Sequence, residues 1–135
     1  MSQFVTIETE INDPEILARC LKKLYPHVEQ GRDIKLYNFV DRFLGQTADI
    51  VIRKKYIGDG RISNDVGFKY DNTSGTYKLV IGDFDNNTNR FDLRKLEHLY
   101  TEEKTIKELQ KKGYNIIKHQ RVNSKTITLL VERWK

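Results

Sequence analysis

The stretch that decides the fold is residues 66–81, VGFKYDNTSGTYKLVI. Its two β-rich runs, 66–70 and 77–81, are separated by the turn-forming residues NTSG. β-branched and aromatic residues favour strands, and a short Gly-containing loop between two such runs is typical of a β-hairpin. A further β-rich run at 50–52 precedes the hairpin across the turn signal GDG at 58–60. The sequence therefore predicts a three-stranded antiparallel meander.

Two elements are predicted before the meander. Alternation of apolar and polar residues predicts a strand over 4–11. Residues 12–15, NDPE, then supply an N-cap candidate, a proline suited to the first helical turn and an acid favourable to the helix dipole. Apolar residues recur at helical spacing up to Leu24, so an amphipathic helix is expected there. Residues 35–40, KLYNFV, predict no more than a short strand between loops.

Three elements are predicted after the meander. Leucines, Tyr and Ile among charged residues predict a second helix over 92–112, with a bend or a break near Thr101 where the apolar phase slips. Gly113 stands where a helix C-cap is expected. Two β-rich runs, 114–122 and 125–134, are joined by Asn and Ser, which suit a hairpin turn.

These elements predict an α+β fold with the order β-α-β-β-β-α-β-β. We expect a two-layer sandwich in which two helices cover one face of a mainly antiparallel sheet. No linker or repeat interrupts the chain, so a single domain over 1–135 is expected. The opposite face of the sheet should be solvated or covered by a partner.

Composition limits the function only broadly. The chain has 135 residues, a single cysteine (Cys20) and a formal net charge of +5 with a pI near 9.3. One cysteine forms no intramolecular disulfide, which fits a reducing compartment. There is no signal-peptide pattern and no apolar run near the ~20 residues that span a bilayer. We therefore expect a cytoplasmic protein that does not enter membranes, and the positive charge permits anionic partners.

Basic residues concentrate in two places. One lies at the end of a predicted strand and the other on the last hairpin, and the candidate ligand-binding residues there are Arg53, Lys54, Lys55, Lys118, His119, Arg121 and Arg133. Such residues could bind phosphates through salt-sensitive contacts. Lysines on strand edges also discourage edge-to-edge aggregation, and both interpretations stay open.

A polar cluster, Gln46, Thr47 and Asp49, precedes a β-rich run. At the mouth of a strand, such residues could form the rim of a ligand pocket. The alternative is that Thr47 and Asp49 satisfy local backbone groups, as these residue types commonly do.

Patterns for catalysis and metal binding are absent. Residues 83–87, DFDNN, open like a calcium loop, but Thr88 stands where Gly is needed and Arg94 where a bidentate Glu is needed. A polar turn before the second helix is the better interpretation. The three histidines lack metal-ligand spacing, and Cys20 lies on an apolar helix face. We expect no catalytic residues, no metal and no cofactor.

Several stretches carry a resemblance to a known family. They are the opening MSQF, GQTADIVI at 45–52, DVGF at 65–68, YKLV at 77–80, and LVERW at 130–134. Together they resemble the uncharacterised family typified by a hypothetical open reading frame of algal plastids and cyanobacteria. The resemblance implies a compact intracellular protein and transfers no catalytic residues. Extra residues at 27–44 and 54–63, more lysine and fewer tryptophans suggest a divergent member from a phage or a low-GC bacterium.

Two functions are compatible with these observations. The first is a non-enzymatic binding or adapter protein that engages a protein partner, or a second copy of itself, through a sheet face and its basic rim. The second is capture of an anionic ligand, such as nucleic acid or a nucleotide signal that a phage protein could sequester. Salt dependence of binding would distinguish the second from the first.

Overall fold

The computed structural model describes residues 3–58, 62–121 and 127–133, with side chains described for 3–58 and 62–116. It divides into two compact units, residues 1–92 and 93–135. The prediction of one domain over 1–135 stays a prediction. The centre of the GDG turn and the Asn123–Ser124 turn lie outside the described residues.

Among its described residues, the first unit contains five strands, two helices and a short 3-10 turn. In chain order they are β1 (Phe4–Glu8), α1 (Pro14–Leu24), β2 (Glu29–Tyr37), β3 (Phe43–Ile52), the 3-10 turn (Lys54–Tyr56), β4 (Val66–Asp71), β5 (Thr76–Gly82) and α2 (Asp83–Asn87). The second unit contains α3 (Leu93–Lys111), β6 (Tyr114–Arg121) and β7 (Ile127–Arg133). The α+β class is thereby confirmed.

The five strands form one antiparallel sheet in the order β1-β5-β4-β3-β2. The predicted meander is confirmed as β3-β4-β5, with Ile50 opposite Phe68 and Phe68 opposite Leu79. Its β4–β5 turn places Gly75 at φ 73°, which glycine adopts without steric cost. The predicted order lacked β2 and α2, because β2 begins with the exposed polar run EQGRD and has no alternating pattern.

Helix α1 begins as predicted. Asp13 is the N-cap, and its carboxylate accepts a hydrogen bond from the Ile16 N–H at 3.1 Å. Tyr25, which follows the helix, stacks on Phe91 with ring centroids 5.7 Å apart. Phe91 in turn contacts Phe68 of β4 at 6.0 Å, so the end of α1 lies on the Phe68 face of the sheet. Cys20 is fully buried in this helix.

The face of the sheet opposite Phe68 is buried in part, around Leu36, while Thr6 and Glu8 of β1 on the same face are exposed. The expectation of a solvated face therefore holds for part of it. Leu36 of β2 forms a buried cluster with Ala48, Val51 and Val80. A register shift within β2 and another between Lys35 and Tyr37 interrupt the β2–β3 pairing. These irregularities bend the hairpin so that its distal half packs on the sheet through Leu36.

In the second unit, α3 runs from Leu93 to Lys111 without a break near Thr101. Gly113 has φ 88°, as expected for a residue that ends a helix. Strands β6 and β7 form the predicted hairpin, as a separate two-stranded sheet. The segment predicted as a polar turn before this unit is the short helix α2.

Candidate functional site

The turn between β2 and β3 is held in a defined conformation by one buried amide. Asn38 is 7% exposed, and its side-chain oxygen accepts hydrogen bonds from the Val40 N–H (3.1 Å) and the Arg42 N–H (2.9 Å). The Asn38 N–H also donates to the Arg42 carbonyl at 2.9 Å. Asp41 takes the left-handed conformation, φ 59°, that this turn requires. The conformation of the turn is therefore set by the protein itself, before any partner binds.

Two further buried residues hold the turn from the β3–β4 connection. The Asn64 side chain accepts a hydrogen bond from the Phe39 N–H at 2.9 Å. Asp65 accepts one from the Tyr37 N–H at 2.8 Å, and its own N–H donates to the Tyr37 carbonyl at 3.0 Å. Buried polar groups that are fully hydrogen-bonded rigidify the structure around them.

The residues at 40–44 expose large apolar side chains on this rigid turn. Val40 is 53% exposed, Phe43 42% and Leu44 57%. Lys35 lies over the Phe43 ring, with its Nζ 5.1 Å from the centroid. We call Lys35, Val40, Arg42, Phe43 and Leu44 the hairpin tip.

Arg53 joins the start of β2 to the β3–β4 connection. Its guanidinium donates to both Glu29 carboxylate oxygens, at 2.5 and 2.9 Å, and to Asp65 at 2.9 Å. It also donates to the Lys35 carbonyl at 2.9 Å. The hydrogen bond from Arg53 holds the pKa of Glu29 below its usual value. The hydrogen bond that Arg53 donates to Glu29 is the main cause that raises the pKa of Arg53. Four of the five guanidinium hydrogens are thus directed at groups of the protein.

A cleft of about 340 Å³ lies beside the hairpin tip. Its lining residues are Tyr37, Asp41, Arg53, Lys54, Lys55 and Asp65. An ion pair between Lys54 and the exposed Asp41 joins its two sides. Lys55 lies over the Tyr56 ring, with its Nζ 5.1 Å from the centroid.

Three exposed cations at this surface lack a carboxylate partner among the described residues. Lys35, Arg42 and Lys55 make no ion pair within the portion of the chain that the structure describes. Asp41 is the carboxylate of the turn, and it is already paired with Lys54. The hairpin tip and cleft rim therefore combine exposed apolar area with uncompensated positive charge.

The polar cluster at 46–49 lies inside β3 rather than at its mouth, because β3 begins at Phe43 and pairs with β2 along this length. Asp49 accepts hydrogen bonds from the Asp33 N–H (3.2 Å) and from the Tyr70 N–H (2.9 Å), so it bridges both neighbouring strands. Thr47 accepts one from Lys69 at 3.1 Å. Gln46 is half-buried in the same strand. The backbone groups that Asp49 satisfies thus lie 16 and 21 positions away in neighbouring strands, and they are not the local groups of a loop.

The remaining candidates lie in the second unit. Lys118 pairs with Leu130 in register, His119 with Leu129 and Arg121 with Ile127. Arg133 pairs with Tyr114 at the other end of the hairpin. The structure therefore places them on β6 and β7, and their side chains lie outside the described residues.

Sequence reasoning missed the hairpin tip. Its residues lie in a segment interpreted as a short strand at 35–40 between loops, and their exposure depends on how the hairpin folds back. One local signal was present: Asn38 and Asp41, two turn-forming residues, interrupt the apolar run 36–44.

The described residues include neither a metal-ligand cluster nor a membrane-spanning helix. No group of three or more His, Cys, Asp or Glu among them could hold a metal ion. None of the described helices combines the length and apolar character needed to cross a bilayer.

The fold and site define a small α+β protein with a rigid, exposed apolar hairpin beside a charged cleft. The chain belongs to DUF1257, a family of proteins of unknown function whose model matches residues 20–130. Membership in an uncharacterised family is thereby confirmed. No curated protein and no solved structure matches the chain.

Proposed function

We propose that this chain is a non-enzymatic binding protein that engages a protein partner through the hairpin tip. The observation that carries the proposal is the exposure of Val40, Phe43 and Leu44 on a turn fixed by Asn38. Apolar side chains clustered on an exposed turn are costly to keep in water and are typical of binding surfaces. A preorganised turn loses little conformational entropy when a partner binds, which favours affinity.

The experiment is co-purification of the chain from cells that encode it, followed by quantitative mass spectrometry. Leu44→Asp places a charge where the proposal needs an apolar contact, so the partner should be lost. Leu44 is 57% exposed, so this variant should keep its fold, which thermal unfolding can check. The matched control is Tyr70→Ser, another exposed apolar position, at 39%, that lies outside the tip.

Two results would contradict this function. One is a partner retained equally by Leu44→Asp and by the wild type. The other is a catalytic activity of the purified chain that a single polar substitution abolishes. Light scattering would show whether the partner is a second copy of the chain.

A second candidate is binding of an anionic ligand, nucleic acid or a nucleotide signal, in the cleft. The observation that favours it is the cation Lys55 at the cleft wall, next to Lys54. Arg53 argues for the first candidate, because its guanidinium is already directed at Glu29 and Asp65. Calorimetry with mononucleotides and with single-stranded RNA tests the second candidate: binding should weaken as salt rises and vanish in Lys54→Glu/Lys55→Glu.

Location and origin are proposals as well. We place the protein in the cytoplasm, which the buried, single Cys20 supports. We also propose kinship with the plastid and cyanobacterial reading frame and a phage or low-GC bacterial source. The departures at 27–44 and 54–63 support divergence within the family.

A further inference from the structure

We infer that the partner of the hairpin tip presents an acidic segment, whose carboxylates bind Lys35, Arg42 and Lys55 and displace Asp41 from Lys54. This inference rests on the proposed function and adds the chemistry of the partner.

Lys35, Arg42 and Lys55 are exposed, and none of them pairs with a carboxylate in the described part of the chain. Lys35 lies over Phe43, Arg42 adjoins Phe43 in the chain, and Lys55 lines the cleft together with Asp41. A partner that covers the apolar side chains excludes water, and a charge interaction there is stronger than in open water. A partner with Asp or Glu beside apolar anchors complements both properties, whereas a basic partner would be repelled.

The Lys54 side chain is only 20% exposed, so it is partly removed from water. Its carboxylate partner Asp41, in contrast, has a side chain that is 81% exposed. An exposed acid gives little net stability through such a pair, so replacing it costs little. An incoming carboxylate could therefore take the place of Asp41 without a large loss. In the free protein, Asp41 occupies the position of the partner's acid.

Asp41 has φ 59°, a conformation that non-glycine residues seldom adopt, and Asn38 fixes the residues around it. The carboxylate is thus held beside Lys54 by the turn itself. Removing its charge without changing its shape should leave the turn intact and leave Lys54 without its partner.

The test uses a random dodecapeptide library displayed on phage and selected on the full chain. Peptides enriched on the wild type are synthesised, and their dissociation constants are measured for each variant. We expect enriched peptides to combine Asp or Glu with large apolar residues, and to bind more weakly as salt rises.

Two variants, each with a matched control, test the charge of the surface and the displacement of Asp41 separately. Arg42→Glu/Lys55→Glu should weaken binding between about twofold and about twentyfold, given the small value of each exposed pair. The control Lys22→Glu/Lys112→Glu changes the net charge equally at exposed positions outside the tip and should weaken it much less. Asp41→Asn should strengthen binding by roughly two- to fivefold, because it removes the internal competitor. Glu10→Gln, an exposed acid elsewhere, is its matched control.

The outcomes are distinct for the two proposals. Enriched peptides that are neutral or basic, or an Arg42→Glu/Lys55→Glu variant no weaker than its control, overturn the acidic partner. An Asp41→Asn variant that binds more weakly than wild type overturns the displacement of Asp41. If no enriched peptide depends on Leu44, the proposed function itself fails.

Discussion

Gly67 of β4 lies so close to Ala48 of β3 that a β-carbon on the glycine would stand 2.4 Å from the Ala48 Cβ. The same β-carbon would lie 3.1 Å from both terminal methyl groups of Leu36. Because Gly67 has no side chain, the β2–β3 hairpin can pack on the sheet at this point. This packing positions the hairpin tip, so the candidate site depends on Gly67.

Gly67→Ala should destabilise the protein by about 1–3 kcal/mol, since the added methyl overpacks a buried contact. The measurement is the free energy of unfolding in urea. Gly31→Ala is the matched control, because its β-carbon would approach only the Ile34 side chain, at 3.3 Å. Equal stability of the Gly67→Ala variant and the wild type would show that the hairpin does not pack as described.

Asp65→Ala should cost about 3–5 kcal/mol, because it removes the buried partner of Arg53 and leaves the Tyr37 and Lys54 N–H groups without an acceptor. Asp65→Asn keeps an acceptor oxygen and should cost less. The amides of Tyr37 and Lys54 should also exchange hydrogen faster in Asp65→Ala. An Asp65→Ala variant as stable as Asp41→Asn, which changes an exposed carboxylate, would contradict this role.

The meander and α1 could be predicted because their signals are local. The NTSG turn and the Asp13 cap act over a few residues, and the structure has both where the sequence indicated. Strand β2 could not be predicted because its first residues are exposed and polar. Its strand conformation comes from pairing with β3, for example between Gln30 and Ile50.

The site was harder to predict for the same physical reason. Arg53 looked like a free cation in the sequence, but folding brings it to Glu29, which lies 24 positions away in the chain. The Asn64 side chain likewise accepts a hydrogen bond from Phe39, which lies 25 positions away in the chain. Contacts of this kind depend on the complete fold, and residue type and spacing do not reveal them.

Stability should depend on pH through Glu29. Arg53 lowers the pKa of Glu29 in the folded state below the unfolded pKa of 4.5. The contribution of the Glu29–Arg53 pair to stability is therefore complete above pH 4.5 and disappears as pH falls through the lower pKa of the folded state. The stability difference between wild type and Glu29→Gln, about 0.2–1 kcal/mol near neutral pH, should therefore shrink on acidification. Urea unfolding at a series of pH values measures it. In an Arg53→Lys background the dependence should be weaker, because lysine lacks the bidentate contact; a difference that stays constant with pH would contradict the ion pair.

Tyr25 should make stability fall at alkaline pH. Burial, and secondarily the charge of Asp92, raises the pKa of Tyr25 from 10.0 to about 12. The folded state therefore holds this proton more tightly than the unfolded state, so its contribution is complete below pH 10 and is lost as pH rises from 10 towards 12. Tyr25→Phe keeps the ring that stacks on Phe91 but has no hydroxyl to ionise, so its stability should fall less steeply over that range.

Ultraviolet difference titration of wild type against Tyr25→Phe isolates this tyrosine from the other six. Asp92→Asn should move its midpoint down, and a midpoint of 10 in the wild type would contradict the burial of the hydroxyl.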